Sequence, residues 1–451
     1  MKDDKLEIKI YRGSRQIGGT CIELRSGGSR ILLDMGLPLY DKKGEDIPGD
    51  ILDGCNPANP ADIERLKKLD ILPAVKGLYQ DGAPGFDAIL ISHSHGDHYG
   101  LVHFAHPAIP LVMSEGARRM IETLNSFLPK KVDLSNVIAA VSRVKLNIGA
   151  FDVSPYFMDH SAFDARGFFI TERRSGKTVF YSGDFRACGS RGATFEKLLH
   201  NPPVRHVDYL LMEGTTIGRP EAEFKTELEA EAALGDVLSQ GHKLVLLASS
   251  GQNIDRIKSA YLMARKHGYE LLVDPYIACV LDNIKGLYGS FVPQLGMPGI
   301  KAFLCNYVPN PPGYSYVNKM AQDPSGRFKH LLYLMGKKKV KPRDLADGKK
   351  RIILVRDGIV PSLKRIPDVD KAFVVYSQWK GYLKKKTRLT EFLRSKGLLK
   401  EGENFKYIHT SGHADVPTLQ RLVAGLNPTK IIPIHTERPE KYPEFFGRER
   451  F

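Results

Sequence analysis

The sequence predicts an α/β protein in two parts: a sheet-rich sandwich over residues 1–215 and, after it, a mostly parallel sheet with flanking helices. Three features predict this. Short β-branched runs with period-2 apolar patterning and Gly-rich turns dominate the first part, the signature of half-buried strands. From about residue 220 helical and extended patterns alternate, as they do in βαβ units. The last fifty residues then read as strand, loop, helix and strand, and histidines reappear there.

In chain order, the first part offers "KLEIKIYRG", "CIELRSGGSRILLDMG", "FDAILISHS", "IPLVMS", "KTVFYSGDF" and "VDYLLMEG" as extended runs, with a helix beginning at "SEGARRMIETLNSFL". The second part follows with "ELEAEAALGDVLSQG", "KLVLLAS", "NIDRIKSAYLMARKHG" and "YELLVD", alternately helical and extended. Boundaries are placed at 216–399 for the second part and 400–451 for the last segment. Two stretches, 336–351 and 380–388, are heavily basic. Each is most simply a solvated loop, with a nucleic-acid-contacting surface as the alternative. No internal repeat or low-complexity tract is present.

Composition narrows the function class. With 451 residues, 42% of them hydrophobic, the chain can bury full-sized cores without covalent staples. Five cysteines, Cys21, Cys55, Cys188, Cys279 and Cys305, are odd in number and form no CxxC pair, so they read as free thiols of a reducing, cytoplasmic compartment. No apolar export segment and no run of 18 apolar residues is seen, which argues against a membrane span. A formal net charge of +15 suits a polyanionic partner.

The densest chemistry lies in "LISHSHGDHYGL", residues 90–101, which places His93, His95 and His98 beside Asp97. In an extended segment side chains at i and i+2 share a side, so His93 and His95 can face one metal while Asp97 and His98, in a turn opening a helix, aim at a second. Four residues cannot complete two sites. His160 in "FMDHSAF", Asp184 in "YSGDF" and His435 in "PIHTE" each follow an apolar run and are the candidates for the remainder, each singly also readable as a satisfied polar loop residue.

These motifs resemble a known group. "GGTCIELRSGGSRILLDMG", "HSHGDH", "DHS" and "SGD" are similar to the opening motifs of the metallo-β-lactamase superfamily, an αββα sandwich with a two-metal cleft. "LMEGTT" with Glu213, "TSGHAD" with His413 and "PIHTE" with His435 resemble motifs A, B and C of its β-CASP nucleases, whose extra domain is inserted in the sandwich. "ASSGQNIDRIKSA" and the tail look most like RNase J and its archaeal relatives. RNase J proper carries a further C-terminal domain; here sixteen residues follow His435, so the resemblance is to the form lacking that domain.

The resemblance implies a ligand set. His93, His95 and His160 would hold one ion, Asp97, His98 and His435 the other, with Asp184 bridging and Asp34 supporting from behind. Zinc suits these donors, with manganese as the alternative. Asp97, Asp184, His413 and Glu213 are the expected catalytic residues, Glu213 orienting His413 and raising its pKa so that it can contact or protonate the phosphate. Ser377, Ser411 and Gly412 are candidate substrate contacts, and Tyr376 and Trp379 are candidates for base stacking or for packing between domains. Asp415 is read as a helix cap or rim charge.

The implied activity is hydrolysis of phosphodiesters in single-stranded RNA, by 5′→3′ exonuclease action, endonuclease action or both. Two ions about 3.5 to 4 Å apart suit it, because they bring a water toward ionisation and neutralise charge developing in line. The alternatives are a β-CASP DNA nuclease, which histidine rather than valine at position 435 argues against, a non-nuclease hydrolase of the same fold, and an inactive binding module, which would not need the complete ligand set.

Overall fold

The protein is described from a computed structural model covering residues 5–41, 44–128, 131–304, 316–323 and 325–450. Cys305 lies outside the described residues; the other four cysteines are free thiols. The first sheet runs β1 (Glu7–Arg12), β2 (Cys21–Ser26), β3 (Ser29–Leu33), β4 (Ala88–Leu90), β5 (Leu111–Met113) and β6 (Val137–Ala139), in that spatial order. The second contains β7 (Leu146–Ile148), β8 (Phe151–Phe157), β9 (Arg166–Glu172), β10 (Thr178–Tyr181) and β11 (Tyr209–Glu213).

Strand alternation builds the layers. Ile31 and Leu33 of β3 turn inward with Ala88, Leu90 and Val112 against Val153, Phe168, Ile170, Val179, Tyr181 and Leu211 of the second sheet. The residues between them face the other way. Leu32, Ile89, Leu111 and Met113 meet Ile63 and Leu66 of the helix Pro60–Lys68 and Ala117 and Ile121 of the helix Glu115–Asn125. Phe169, Phe180, Leu210 and Met212 meet Phe195 and Leu198 of the helix Ala193–His200 and Leu419, Leu422 and Leu426 of the helix Val416–Leu426. A period of two thus gives helix, sheet, sheet, helix, the predicted αββα order.

Between β11 and the end of the chain lies a third sheet: β12 (Leu244–Ala248), β13 (Glu270–Val273), β14 (Ile300–Phe303), β15 (Lys339–Val340), β16 (Arg351–Val355), β17 (Phe373–Tyr376) and β18 (Phe405–Tyr407). Its order is β15-β14-β13-β16-β12-β17-β18, and every pairing is parallel. Val245 and Leu247 face one core and Leu246 and Ala248 another, which is why "LVLLA" is apolar throughout. β18 carries this sheet past position 400. The chain then returns as β19 (Lys430–Ile434), parallel to β11 at the margin of the second sheet.

Several segments depart from the sequence reading. Strands β6–β9 and β14–β17 extend the sheets beyond the runs named above. The basic stretch 336–351 is not a loop: it holds the end of the helix Lys329–Lys338, β15, a 3₁₀ turn over Pro342–Ala346 and the start of β16. Arg351 is buried there because its guanidinium forks onto Asp347 (2.6 Å) and Glu270 (3.0 Å).

A buried ion network joins the sandwich to the inserted part. The Arg186 guanidinium reaches Glu227 (2.8 Å) and Asp255 (2.7 Å), and Arg256 reaches Glu227 (2.8 Å). Thr410 donates to Glu227 at 2.6 Å. Burial alone would raise the Glu227 carboxyl, but Arg256 and Arg186 outweigh it and bring it from the usual 4.5 down to about 2. Its folded-state pKa is depressed, so the stability it contributes is fully present above pH 4.5 and is lost as pH falls through about 2. That contribution is on the order of 3 kcal/mol. Urea unfolding of wild type and Glu227→Gln across this window should show the stability gap closing toward pH 2; a gap independent of pH would count against the linkage.

Candidate functional site

Topology brings the site residues to one edge. β3 and β4 are parallel, as are β10, β11 and β19, and β8 shares their direction through two antiparallel pairings. Asp34, Asp184 and His435 follow the C-terminal ends of β3, β10 and β19; His93 and His160 lie three residues past β4 and β8; and Glu213 is the last residue of β11. His95 caps the short helix Gly96–Tyr99, which holds Asp97 and His98.

The side chains converge in groups. One potential ligand atom from each of His93, His95 and His160 falls within 4.8 Å of the others, and the same holds for Asp97, His98 and His435, for His93, His98 and Asp184, and for Asp184, Glu213, His413 and His435. Ring centroids of His93 and His98 are 4.1 Å apart, and those of His98 and His435 are 4.9 Å apart.

Neighbouring groups fix how these imidazoles point. His98 Nδ1 donates to Asp34 Oδ2 (2.7 Å), and His93 Nδ1 lies 3.0 Å from the Ser92 hydroxyl, which itself donates to Asp34 (2.7 Å). Asp34 also accepts from the Ser92 N–H (2.7 Å) and from the Tyr181 hydroxyl. His160 Nδ1 donates to the Gly412 carbonyl, and His435 Nδ1 donates to the Thr215 hydroxyl at 2.8 Å. With each Nδ1 engaged, Nε2 keeps its lone pair for the cleft, the arrangement metal-bound histidines use. Asp34 (φ 56°) and His435 (φ 46°) both hold the left-handed backbone that non-glycine residues adopt where surrounding contacts over-determine them.

The buried atoms fit a cation. His93 Nε2, His98 Nε2 and Asp184 Oδ1 are buried without a hydrogen-bond partner among the described residues. Such orphaned atoms are costly unless something else satisfies them. The donors are imidazole nitrogens and carboxylate oxygens, a set that accepts zinc or manganese.

Protonation is arranged accordingly. Burial, with His98 and His160 nearby, holds the His93 pKa well below its usual value, and burial brings His95 down to about 4. His160 is lowered by burial and by His95. These rings are neutral at pH 7 and ready to ligate. Burial would raise Asp184, but His435, His98 and His413 outweigh it and keep the carboxylate ionised. His98 is the exception: against burial, Asp184, Asp97 and Asp34 raise its pKa, so a cation taking Nε2 displaces a proton there.

His413 stands at the more exposed rim of the same cluster. Its Nδ1 is 3.0 Å from Glu213 Oε2 and 3.7 Å from Asp184 Oδ2, and its side chain is 22% exposed. Burial lowers its pKa, yet Glu213 and Asp184 outweigh that and the net shift is upward. Glu213 is fully buried and accepts the Phe185 N–H at 2.9 Å, so it is no helix cap. Asp415 is one: it accepts the Thr418 N–H at 2.9 Å.

The candidate substrate contacts sit differently. Ser377 is buried and takes a hydrogen bond from Arg256 (2.5 Å), which makes it part of the ion network rather than an open cleft wall. The Ser411 hydroxyl accepts the His413 N–H (3.0 Å), and Ser411 O and Gly412 O bind Arg186 and His160. Tyr376 is packed in the core below the inserted sheet, which removes it as a stacking surface, whereas Trp379 is 39% exposed. Sequence reasoning did not single out Ser92, Tyr181, Thr215 and Arg186. Only Thr215, in "LMEGTT", stood inside a recognised motif.

Residues 69–242 match the β-lactamase superfamily domain, and residues 402–442 match the Zn-dependent metallo-hydrolase RNA specificity domain. The chain is 24% identical over 362 residues to a ribonuclease J of Sinorhizobium meliloti; the aligned part covers 78% of this chain and 57% of the length of that relative. A crystal structure of a protein of unknown function from Enterococcus faecalis superposes with a TM-score of 0.71 at 19% identity, covering 98% of this chain and 97% of that one, a likeness of fold. Among the described residues no helix is long and apolar enough to cross a membrane. One domain match thus ends just before β12 and the other begins at residue 402, and with His435 returning to the edge that carries His93, the chain is similar to metallo-β-lactamase-superfamily enzymes and, over most of its length, to a ribonuclease J.

Proposed function

We propose that the protein is a two-metal ribonuclease of the cytoplasm that hydrolyses phosphodiester bonds of single-stranded RNA. The observation that carries this reading is the convergence of Asp97, His98, His435, His93, His95 and His160 around Asp184, with His413 on Glu213 beside them. Histidine at position 435, the RNA-specificity domain over 402–442 and the net charge of +15 support RNA as substrate. His93, His95 and His160 would hold one ion and Asp97, His98 and His435 the other, with Asp184 between them and Asp34 orienting His98 from behind. A metal pair bound by these residues would supply positive charge to the phosphodiester and lower the pKa of a water.

The chain's own groups do the rest. Glu213 accepts a hydrogen bond from His413 Nδ1 and, with Asp184, raises the pKa of the ring, which leaves Nε2–H as a source of a proton. That proton can pass to the departing oxygen, general-acid work that contributes about 10²–10⁴-fold. Asp97 and Asp184 stay ionised, so they hold charge without competing for that proton.

The test uses 5′-labelled and 3′-labelled single-stranded RNA and DNA of equal sequence with zinc or manganese. Wild type should cut RNA, Asp97→Ala should not, and His413→Ala should fall about 10²–10⁴-fold. Mononucleotide release from the 5′ label would mark exonuclease action, and ladders from both labels endonuclease action. Equal cutting of DNA would overturn the RNA assignment, and RNA cleavage undiminished in Asp97→Ala would overturn the site.

A further inference from the structure

The loop after β17 builds an aromatic and basic wall beside the site. Trp379 and Tyr382 meet edge to face, with centroids 5.3 Å apart and planes at 87°. The Arg219 guanidinium lies over the Trp379 ring at 4.6 Å. Gly381 abuts the same indole: a Cβ added there would stand 2.3 Å from the ring. Trp379 is therefore held between Arg219 and the Gly381 backbone and is a brace. The exposed ring it supports is Tyr382, 42% accessible.

Three connections place this wall on the Asp97 and His435 side. Arg219 lies four residues past Thr215, the partner of His435, and reaches Glu437 at 4.0 Å, two residues beyond His435. Lys385, in the same loop as Tyr382, pairs with Asp46 (2.7 Å) and lies 5.1 Å over the Tyr40 ring. The segment holding Tyr40 packs on Asp97 itself: Leu37 N–H donates to Gly96 O (3.0 Å), and Gly18 is wedged between Leu39 and the Asp97 side chain.

We infer that Tyr382, braced by Trp379, stacks on one base of a single-stranded nucleic acid while Arg219 binds that strand's phosphate, forming a clamp next to the reacting bond on the Asp97 and His435 side. The inference rests on the proposed action on single-stranded RNA and adds where a base is gripped. An aromatic face accepts any unstacked base and a guanidinium fixed over an indole presents its N–H edge to a phosphate, so the clamp selects unpaired strands without reading sequence.

Trp379 is the sole tryptophan of the chain, so its fluorescence reports on this place alone. Protein in excess chelator, where no cutting occurs, is titrated with a single-stranded RNA oligomer and with an abasic ribose-phosphate oligomer of equal length, affinities being read by anisotropy. RNA should quench Trp379 and the abasic oligomer should not. Tyr382→Ala should weaken RNA binding about tenfold and leave abasic binding unchanged; Tyr382→Phe should match wild type, and Arg219→Ala should weaken both oligomers. Tyr382→Ala binding RNA as wild type does, Tyr382→Phe failing as badly as Tyr382→Ala, or Arg219→Ala leaving abasic binding intact would each overturn the clamp. Hydrolysis with metal is scored separately. Cutting without any base-dependent loss in Tyr382→Ala sinks the clamp alone, and base-dependent binding without cutting sinks the ribonuclease reading while supporting the clamp.

Discussion

Replacing Asp184 with Asn should lower RNA hydrolysis by about 10³-fold or more and reduce the metal bound per chain. The amide keeps the shape of the carboxylate and removes its charge. Asp184 lies within reach of members of both groups: its oxygens stand 3.1 Å from His98 Nε2, 3.5 Å from His435 Nδ1 and 4.0 Å from His93 Nε2. Charge stabilisation by a metal pair is worth several kcal/mol, which sets the scale of the loss. Because a neutral side chain of equal volume replaces a buried anion among histidines, the variant should fold. Elemental analysis and rate measurement check this together; a variant with full metal content and wild-type rate would remove Asp184 from the centre.

The second large effect is on stability. Arg186→Met should destabilise the protein by about 3–5 kcal/mol, the cost of removing one partner from a buried ion pair. Arg186 is fully buried between Glu227, Asp255 and Asp159, and burial alone would lower its pKa, yet those three carboxylates together raise it. Asp159 is already pushed up to about 6 by burial and should turn neutral without the guanidinium. The damage should also reach the site. Arg186 donates to the Ser411 carbonyl (3.3 Å), and the next carbonyl, Gly412, orients His160. Zinc affinity should therefore fall along with the urea midpoint; loss of stability with unchanged zinc affinity would confine Arg186 to holding the two parts together.

Much of the site was legible because its chemistry is contiguous or sits at the ends of apolar runs. His93, His95, Asp97 and His98 occupy six residues, and Asp34, Asp184 and His435 each end a strand that the hydrophobic period marks. What stayed hidden is defined by contact across long separations. Tyr181 matters through Asp34, 147 positions away, and Arg186 through Ser411, 225 away. Nothing in the local pattern distinguishes a tyrosine that bonds a carboxylate from one that packs. The fold shows the same divide. "LVLLA" announces β12, whereas β8 contains Pro155 and β9 contains Gly167, residues that weaken a strand pattern although the strands pair over seven positions. Arg351 reads as one more charge in a basic stretch until Asp347 and Glu270 are seen to enclose it.

The late return of β19 has a consequence for biosynthesis. His413 and His435 are translated 200 residues or more after Glu213 and Asp184, once the whole third sheet has been translated. A nascent chain that has completed β11 owns His93, His95 and His160 but lacks the partner that closes the group around Asp97. Assembly of the full ligand set therefore waits until β19 has been made and has paired with β11.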